Sequence, residues 1–354
     1  MPAAGRTAVR RVLAGCLVLL AGLAGFLLAL LSPVETREPW SAPVLVLSGE
    51  SLPEISAALR NSGVIREAKS FELLVRLRGK ARELKAGPYR VRSSEWGWEI
   101  LDRLVKGDFE DTSITVTEGL WMAEIAERLD PFVRGGGPAF LGAARDPSLL
   151  RELGIREQTA EGYLFPDTYR MLLSTPAPEI VRQMVRTFFQ VWERELAGRA
   201  RHRGMSLHDV LTLASIVEAE ARVASERPRI AAVYLNRLAQ GVLLQADPTV
   251  HYGLGQRRAR TFYSDLKIPS PYNTYVHAGL PPGPIGNPGL QSMRAVLWPK
   301  ENCRDLYFVA LGDGTHLFAT DFAGHQQNRR LVRERQVGEG AEAVAPARKA
   351  RRTR

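Results

Sequence analysis

The run "ASIVEAEA", residues 214–221, sets Glu218 and Glu220 into an otherwise apolar stretch. A carboxyl group can serve as general acid and then general base, provided its surroundings hold a proton near neutral pH. The flanking run "SLHDVLTLASIVEAEARV" predicts a helix. Ser206 can cap it, and Asp209 three residues on completes something close to a capping box. At about 100° per residue, Leu207, Val210, Leu211, Ala214, Val217 and Ala221 share one face, and Glu218 lies in its middle. Glu220 falls roughly on the other side, near Leu213 and Ile216. Burial disfavours a charged carboxylate, so an apolar face predicts a Glu218 held protonated. The plain structural alternative is a buried Glu paired with an arginine or with backbone N–H groups.

Three further segments are too specific for ordinary loops. "EGYLFPDTYR" (161–170) combines Glu161, Tyr163, Asp167 and Tyr169. "QADPTVHYGL" (245–254) offers Gln245 and Asp247, although Asp247-Pro248 also reads as an N-cap followed by proline at the first helical position. "SPYNTYVHAGLPPGPIGNPG" (270–289) sets prolines and glycines around Tyr272, Asn273 and Tyr275. Proline fixes φ, so this segment is expected to be a stiff loop with preset side chains. Tyrosine rings and amides suit a sugar, offering flat faces to pyranose rings and donors to hydroxyl and N-acetyl groups. A glycosidase normally flanks its bond with two carboxylates. Glu161, Asp167, Glu220 and Asp247 are all candidates for a partner to Glu218, and spacing places none of them.

Other chemistries find no support. The six histidines all follow residue 201 and none has a close metal-ligand spacing, so neither a metal nor a cofactor is expected. There is no nucleophile elbow, phosphate-binding loop or dinucleotide fingerprint.

The elements that must position these groups read as α+β. A pattern recurs three times, in "VLVLSGESLPEISAAL", "YRVRSSEWGWEILDRL" and "ITVTEGLWMAEIAERL". Each is an apolar strand, a turn and a helix with Ile and Leu four apart on its inner face. A mainly helical region follows, with "PEIVRQMVRTFFQVWERELAGRAR" and "RPRIAAVYLNRLAQG" as amphipathic helices, the latter closed by Gly241. "LYFVAL" and "THLFAT" around "GDG" predict a closing β-hairpin.

The 354-residue chain is 45% hydrophobic and 24% charged, which fits a globular protein of two modest domains. Its first 31 residues differ. Three arginines precede Val12–Leu31, a run with no charge. Twenty residues at 1.5 Å each span about 30 Å, the thickness of a bilayer's hydrocarbon core. This predicts one transmembrane helix (12–31), a cytoplasmic N-terminus and everything else outside the cytoplasm. Residues 32–43 read as a linker. The net charge is +10, and the tail "ARKARRTR" contributes to it. Behind an outward-directed span nucleic acid is not the expected partner; anionic lipid or an anionic wall polymer fits better, a plain solvated tail fits best, and residues 337–354 are assigned no fold.

Taken in order, "EGYLFPDTY", "LASIVEAEA", "LQADPTV", "SPYNTY", "GLPPGPIGNPG" and "THLFATDFAGH" resemble the endolytic murein transglycosylases, the YceG-like family. The likeness runs over roughly 44–330. Gln326 follows His325 where the family usually has Asn, and His251 follows "DPTV". The resemblance implies a small LysM-like domain (44–110), a catalytic domain (111–336) and an anchor in the inner membrane with the catalytic domain in the periplasm. It implies cleavage within peptidoglycan glycan strands of the β-1,4 bond from N-acetylmuramic acid to N-acetylglucosamine. It also implies partners in the wall-synthesis machinery. The catalytic role carries over onto Glu218, as acid and then base. Substrate binding carries over onto Glu161, Tyr163, Asp167, Tyr169, Gln245, Asp247, Thr249, Tyr272, Asn273 and Tyr275. In that reaction the nucleophile is the substrate's own C6 hydroxyl, so no second enzyme carboxylate is needed. A non-catalytic wall-binding scaffold and a muramidase-type hydrolase remain the alternatives.

Overall fold

The computed structural model describes residues 17, 21–22, 25–26, 28–47, 49–109, 111–172 and 175–335. Most of the expected transmembrane run and the whole basic tail lie outside these residues. Among the described residues no helix is long and apolar enough to cross a membrane. The architecture is mixed α+β, about half helical with small sheets. The described residues divide into two compact units, those up to 113 with 170–172 and 175, and 114–169 with 176–335.

In the first unit β1 (Ser41–Val46) and β2 (Gly87–Arg92) pair antiparallel, Ser41 opposite Arg92 and Val46 opposite Gly87. Between them run α1 (Leu52–Asn61) and α2 (Ala68–Leu77), and α3 (Gly97–Lys106) follows. Leu59, Phe71, Val75, Tyr89, Val91, Ile100 and Leu104 form a shared core.

The repeated Glu-Ile…Leu pattern has a physical basis. Glu54, Glu99 and Glu124 each accept a hydrogen bond at 2.7 Å from the backbone N–H three residues earlier, at Ser51, Trp96 and Trp121. That bond satisfies a donor that the first helical turn leaves without a partner. Ile55, Ile100 and Ile125 are buried one residue on, as are Leu59, Leu104 and Leu129 one turn later. The third copy spans β3 (Asp111–Thr115) and α4 (Met122–Leu129).

After α4 the chain runs through α5 (Gly136–Ala143) and α6 (Pro147–Glu152) of the second unit, then β4 (Thr168–Leu172), whose residues from Arg170 on belong to the first unit, and returns to the second at α7 (Ala177–Val191). A π-helical turn, Trp192–Leu196, separates α7 from α8 (Ala197–Arg203), interrupting what the sequence suggests is one helix. At the centre lies α9 (Leu207–Glu220), capped by Ser206, whose hydroxyl accepts from Asp209 N at 3.0 Å. Every residue from Val210 to Val217 is buried. The helix is therefore enclosed on all sides, wider burial than the single apolar face expected of it, because it packs against α10 (Arg227–Ala239), α11 (Asp247–Leu254) and α12 (Leu290–Leu297). The hairpin of β5 (Tyr307–Ala310) and β6 (His316–Ala319) precedes a last helix, α13 (322–335).

Candidate active site

Glu218 stands in the last turn of α9, where the enclosed helix first meets solvent. Its side chain is 6% exposed. Oε1 accepts from Arg227 Nη2 at 2.9 Å, and Oε2 from the backbone N–H of Gly289 at 3.0 Å. Arg227 opens α10 and is held by a second bond, Nε to Ser292 Oγ at 3.0 Å, so the cation is fixed by two helices. These are the partners of the plain alternative, an arginine and a backbone N–H, in place of purely apolar surroundings. A helical wheel reports neighbours on the same helix; it cannot report a guanidinium nine residues on or a loop N–H from residue 289.

A second carboxylate shares this arginine. Glu118 Oε2 lies 3.9 Å from the same Arg227 nitrogen, and its side chain is about half exposed, at 47%. Partial burial and then the charge of Glu218 push the Glu118 carboxyl above the ordinary range, with Arg227 opposing. Glu118 does not figure among the sequence-derived candidates. One signal was available: in the third β-α copy the glycine of the turn, Gly119, is preceded by Glu118, whereas Ser48 precedes the matching Gly49 in the first.

Glu118 and Glu218 line an open cavity of about 520 Å³ with Thr115, Val116, Thr117, Pro166, Asp167 and Thr168. Its walls are tied by Val116 N to Asp167 O at 2.9 Å and by the hydroxyls of Thr115 and Thr168 at 2.9 Å. Two glycines keep the approach narrow. A Cβ on Gly119 would lie 3.3 Å from Glu218 Cγ, and one on Gly289 would overlap the Glu118 carboxylate.

The remaining predicted residues fall into three groups. Asp167 is exposed and joins Glu218 at the cavity. Gln245, Asp247 and Tyr275 line a second cavity, where the Tyr275 hydroxyl donates to Asp247 at 2.5 Å. Asp247 stands inside the first turn of α11 and Ala246 takes the cap position, one residue from the alternative reading of Asp247-Pro248.

The third group lines neither cavity. Tyr163 is 3% exposed with its hydroxyl on Glu157, and Tyr169 is 3% exposed with its hydroxyl on Phe165 O. Thr249 is fully buried on Ala246 O and Thr274, and Asn273 ties the Leu266 and Ile268 carbonyls. Tyr272 packs its ring 4.8 Å from that of Tyr252. Glu161 is 6% exposed and accepts from Met122 N, Tyr252 and Asn287. Burial is the main cause that lifts its carboxyl to about 7. Asn287, also outside the predicted set, satisfies its whole amide. Oδ1 accepts from Gly162 N and Leu164 N, and Nδ2 donates to Leu120 O and Glu161. Through Asn287, Glu161 and its neighbours brace the loop that delivers Gly289 to Glu218. Glu220 points away from Glu218, accepts from Tyr234 at 3.0 Å, and is raised by burial to about 7.

The sequence profile of the YceG-like family matches residues 44–331. A protein of Bacillus subtilis (strain 168) named endolytic murein transglycosylase is 31% identical over 318 residues, 84% of this chain and 87% of that protein. One of the same name from Streptococcus pneumoniae serotype 2 (strain D39 / NCTC 7466) is 27% identical over 339 residues, 86% of this chain and 60% of that protein. A crystal structure of a yceG-like protein from Listeria monocytogenes superposes with a TM-score of 0.57 at 31% identity, covering 82% of this chain and 99% of that one.

Proposed function

The chain belongs to the YceG-like family, and from that premise we propose that it is a lytic transglycosylase of peptidoglycan, with Glu218 as its acid and then its base. The observation that carries this reading is the placement of Glu218 at the wall of the open cavity, gripped by Arg227 and the Gly289 N–H and beside Glu118. Glu118, whose carboxyl is raised by partial burial and by the charge of Glu218, sets a second proton-binding group beside the proposed acid.

In the proposed reaction Glu218 donates its proton to the bridging oxygen as the bond from C1 of the muramic residue breaks. Positive charge develops at C1, and the carboxylate left behind faces it. Glu218 then takes the proton of the C6 hydroxyl while O6 bonds to C1. The products are a 1,6-anhydro-muramic end and a free C4 hydroxyl on the leaving N-acetylglucosamine. No water is consumed and the carboxyl is restored. Arg227 keeps the ionised intermediate from drifting out of line.

Proximity of Glu118 favours one further reading, in which it activates water and the protein is a hydrolase. Mass spectrometry of fragments released from peptidoglycan sacculi separates the two. Anhydro ends, abolished in Glu218→Gln, support transglycosylation. Reducing ends, one water heavier and lost equally in Glu118→Gln, support hydrolysis. Release of anhydro ends at an undiminished rate by Glu218→Gln would remove that residue from the chemistry.

The three arginines and the uncharged run behind them support an inner-membrane anchor, with the catalytic unit in the periplasm and the wall-synthesis machinery within reach. Protease added to intact spheroplasts should then digest the catalytic unit. Full protection there, with cleavage only after lysis, would reverse the orientation.

A further inference from the structure

The second cavity, also about 520 Å³, is unlike the first in charge. Arg237, Arg260 and Arg329 line it against a single carboxylate, Asp247, which already accepts from Tyr275. Arg237 is 7% exposed, and its guanidinium donates to neutral oxygens: the carbonyls of Leu306, Leu243 and Leu244, and Gln245 Oε1. Among the described residues no ion pair links Arg260 or Arg329 to a carboxylate. A buried cation answered only by neutral acceptors leaves a positive potential in the cavity.

The lining is also aromatic. His325 stacks on Tyr307 with ring centres 5.1 Å apart, and Arg237 lies 5.0 Å from the same ring. His325 Nδ1 is buried without a hydrogen-bond partner. At the rim the rings of Tyr263 and Phe322 are 85% and 58% exposed, apolar area that a ligand in the cavity could cover. Gln245 adopts a left-handed φ of +51°, a conformation that costs a non-glycine residue energy and so is often kept where a side chain must be presented.

We propose that this cavity binds a short peptide through its free carboxylates, namely the stem peptide carried by a glycan strand. The inference rests on the peptidoglycan reading above and adds to it the part of the substrate that Glu218 does not touch. Guanidinium groups match carboxylates geometrically and electrostatically, and the exposed rings suit a peptide's apolar side chains. Phosphate shares the anionic chemistry, so the test must tell the two apart.

Isothermal titration of the full chain in detergent, with a soluble disaccharide-peptide as probe, gives that test. Amidating the peptide carboxylates, or making Arg260→Gln or Arg329→Gln, should each weaken binding about tenfold or more, since a charge-assisted bond contributes about 1.5–3 kcal/mol. Arg329→Lys should recover part of the loss. Equal affinity for the amidated probe, or for the disaccharide lacking its peptide, would overturn the proposal. So would stoichiometric displacement by inorganic pyrophosphate, which would mark a phosphate site, and so would no binding of any probe. Product analysis runs in parallel. Carboxylate-dependent binding without anhydro products would leave the site standing and sink the reaction; anhydro products without such binding would do the reverse.

Discussion

Arg227 touches Glu218 at 2.9 Å and reaches Glu118 at 3.9 Å, so the state of one carboxyl is felt by the other. The charge of Glu218 helps hold the Glu118 carboxyl above its ordinary range. Glu218→Gln removes that charge, so Glu118, followed by NMR, should titrate at lower pH than in the wild type. An unmoved Glu118 titration would show that the two groups are not coupled. Elsewhere, Glu161 and Glu220 carry the opposite lesson about buried acids. Burial raises each from an ordinary 4.5 to about 7, so the folded state binds protons that the unfolded chain has released. Their contribution is most favourable below about 4.5 and is lost as pH rises through about 7. Glu161→Gln keeps an acceptor for the Met122 N–H and cannot ionise. Between pH 5 and pH 8 its stability, followed by urea unfolding, should therefore fall less than the wild type's, by an amount on the order of a few kcal/mol. Parallel pH curves for the two proteins would contradict the burial argument. Sequence periodicity could find Glu218 because an acid among leucines is conspicuous. It could not find Glu118, whose importance comes from a neighbour 100 residues away.

Among the elements, the loop from 279 to 289 is the clearest case of local chemistry setting a site. The prolines and glycines that restrict its backbone were legible, and its target was not. Asn287 spends all four hydrogen-bonding positions on Gly162, Leu164, Leu120 and Glu161. Asn287→Ala would strand these buried groups, and a loss of stability of about 2–4 kcal/mol is expected in denaturant titration. Gly289→Ala should behave differently. The backbone there has an ordinary φ of −77°, and the obstacle to a Cβ is the Glu118 carboxylate, the end of a flexible chain. Melting should change little while activity falls, because Glu118 is pushed aside at the residue whose N–H holds Glu218. Equal damage to folding by both variants would deny the loop its separate roles. The β-α copies show the other side of legibility. Their Glu-Ile…Leu spacing is capping and packing, both local, and so it reads directly from the chain. The π turn at Trp192–Leu196 is not local in origin, since nothing in "QVWEREL" interrupts the helical pattern.

At the scale of the whole molecule, 48 basic residues against 38 acidic ones leave a charge of +10. Fold class and the order of the motifs were legible because they are carried by periodicity and turn residues. The division of the candidate residues between a cavity at Glu218 and another at Arg237 was not, because "QADPTV" and "EGYLFPD" look alike in composition and only packing separates them. A charge of that sign would add what neither cavity supplies, a long-range attraction to an anionic wall polymer, if one is the partner. Such attraction is screened over about 10 Å at 0.1 M salt, so binding of the full chain to sacculi should weaken steadily as salt rises. Arg348, Lys349, Arg351, Arg352 and Arg354 lie within the last eight residues. A chain ending at residue 336 should therefore lose affinity at low salt and show a shallower salt dependence in co-sedimentation. Glu218→Gln should match the full chain in that dependence, because it acts on the bond and not on the approach. Identical salt curves for the full and shortened chains would assign the attraction to the folded units alone.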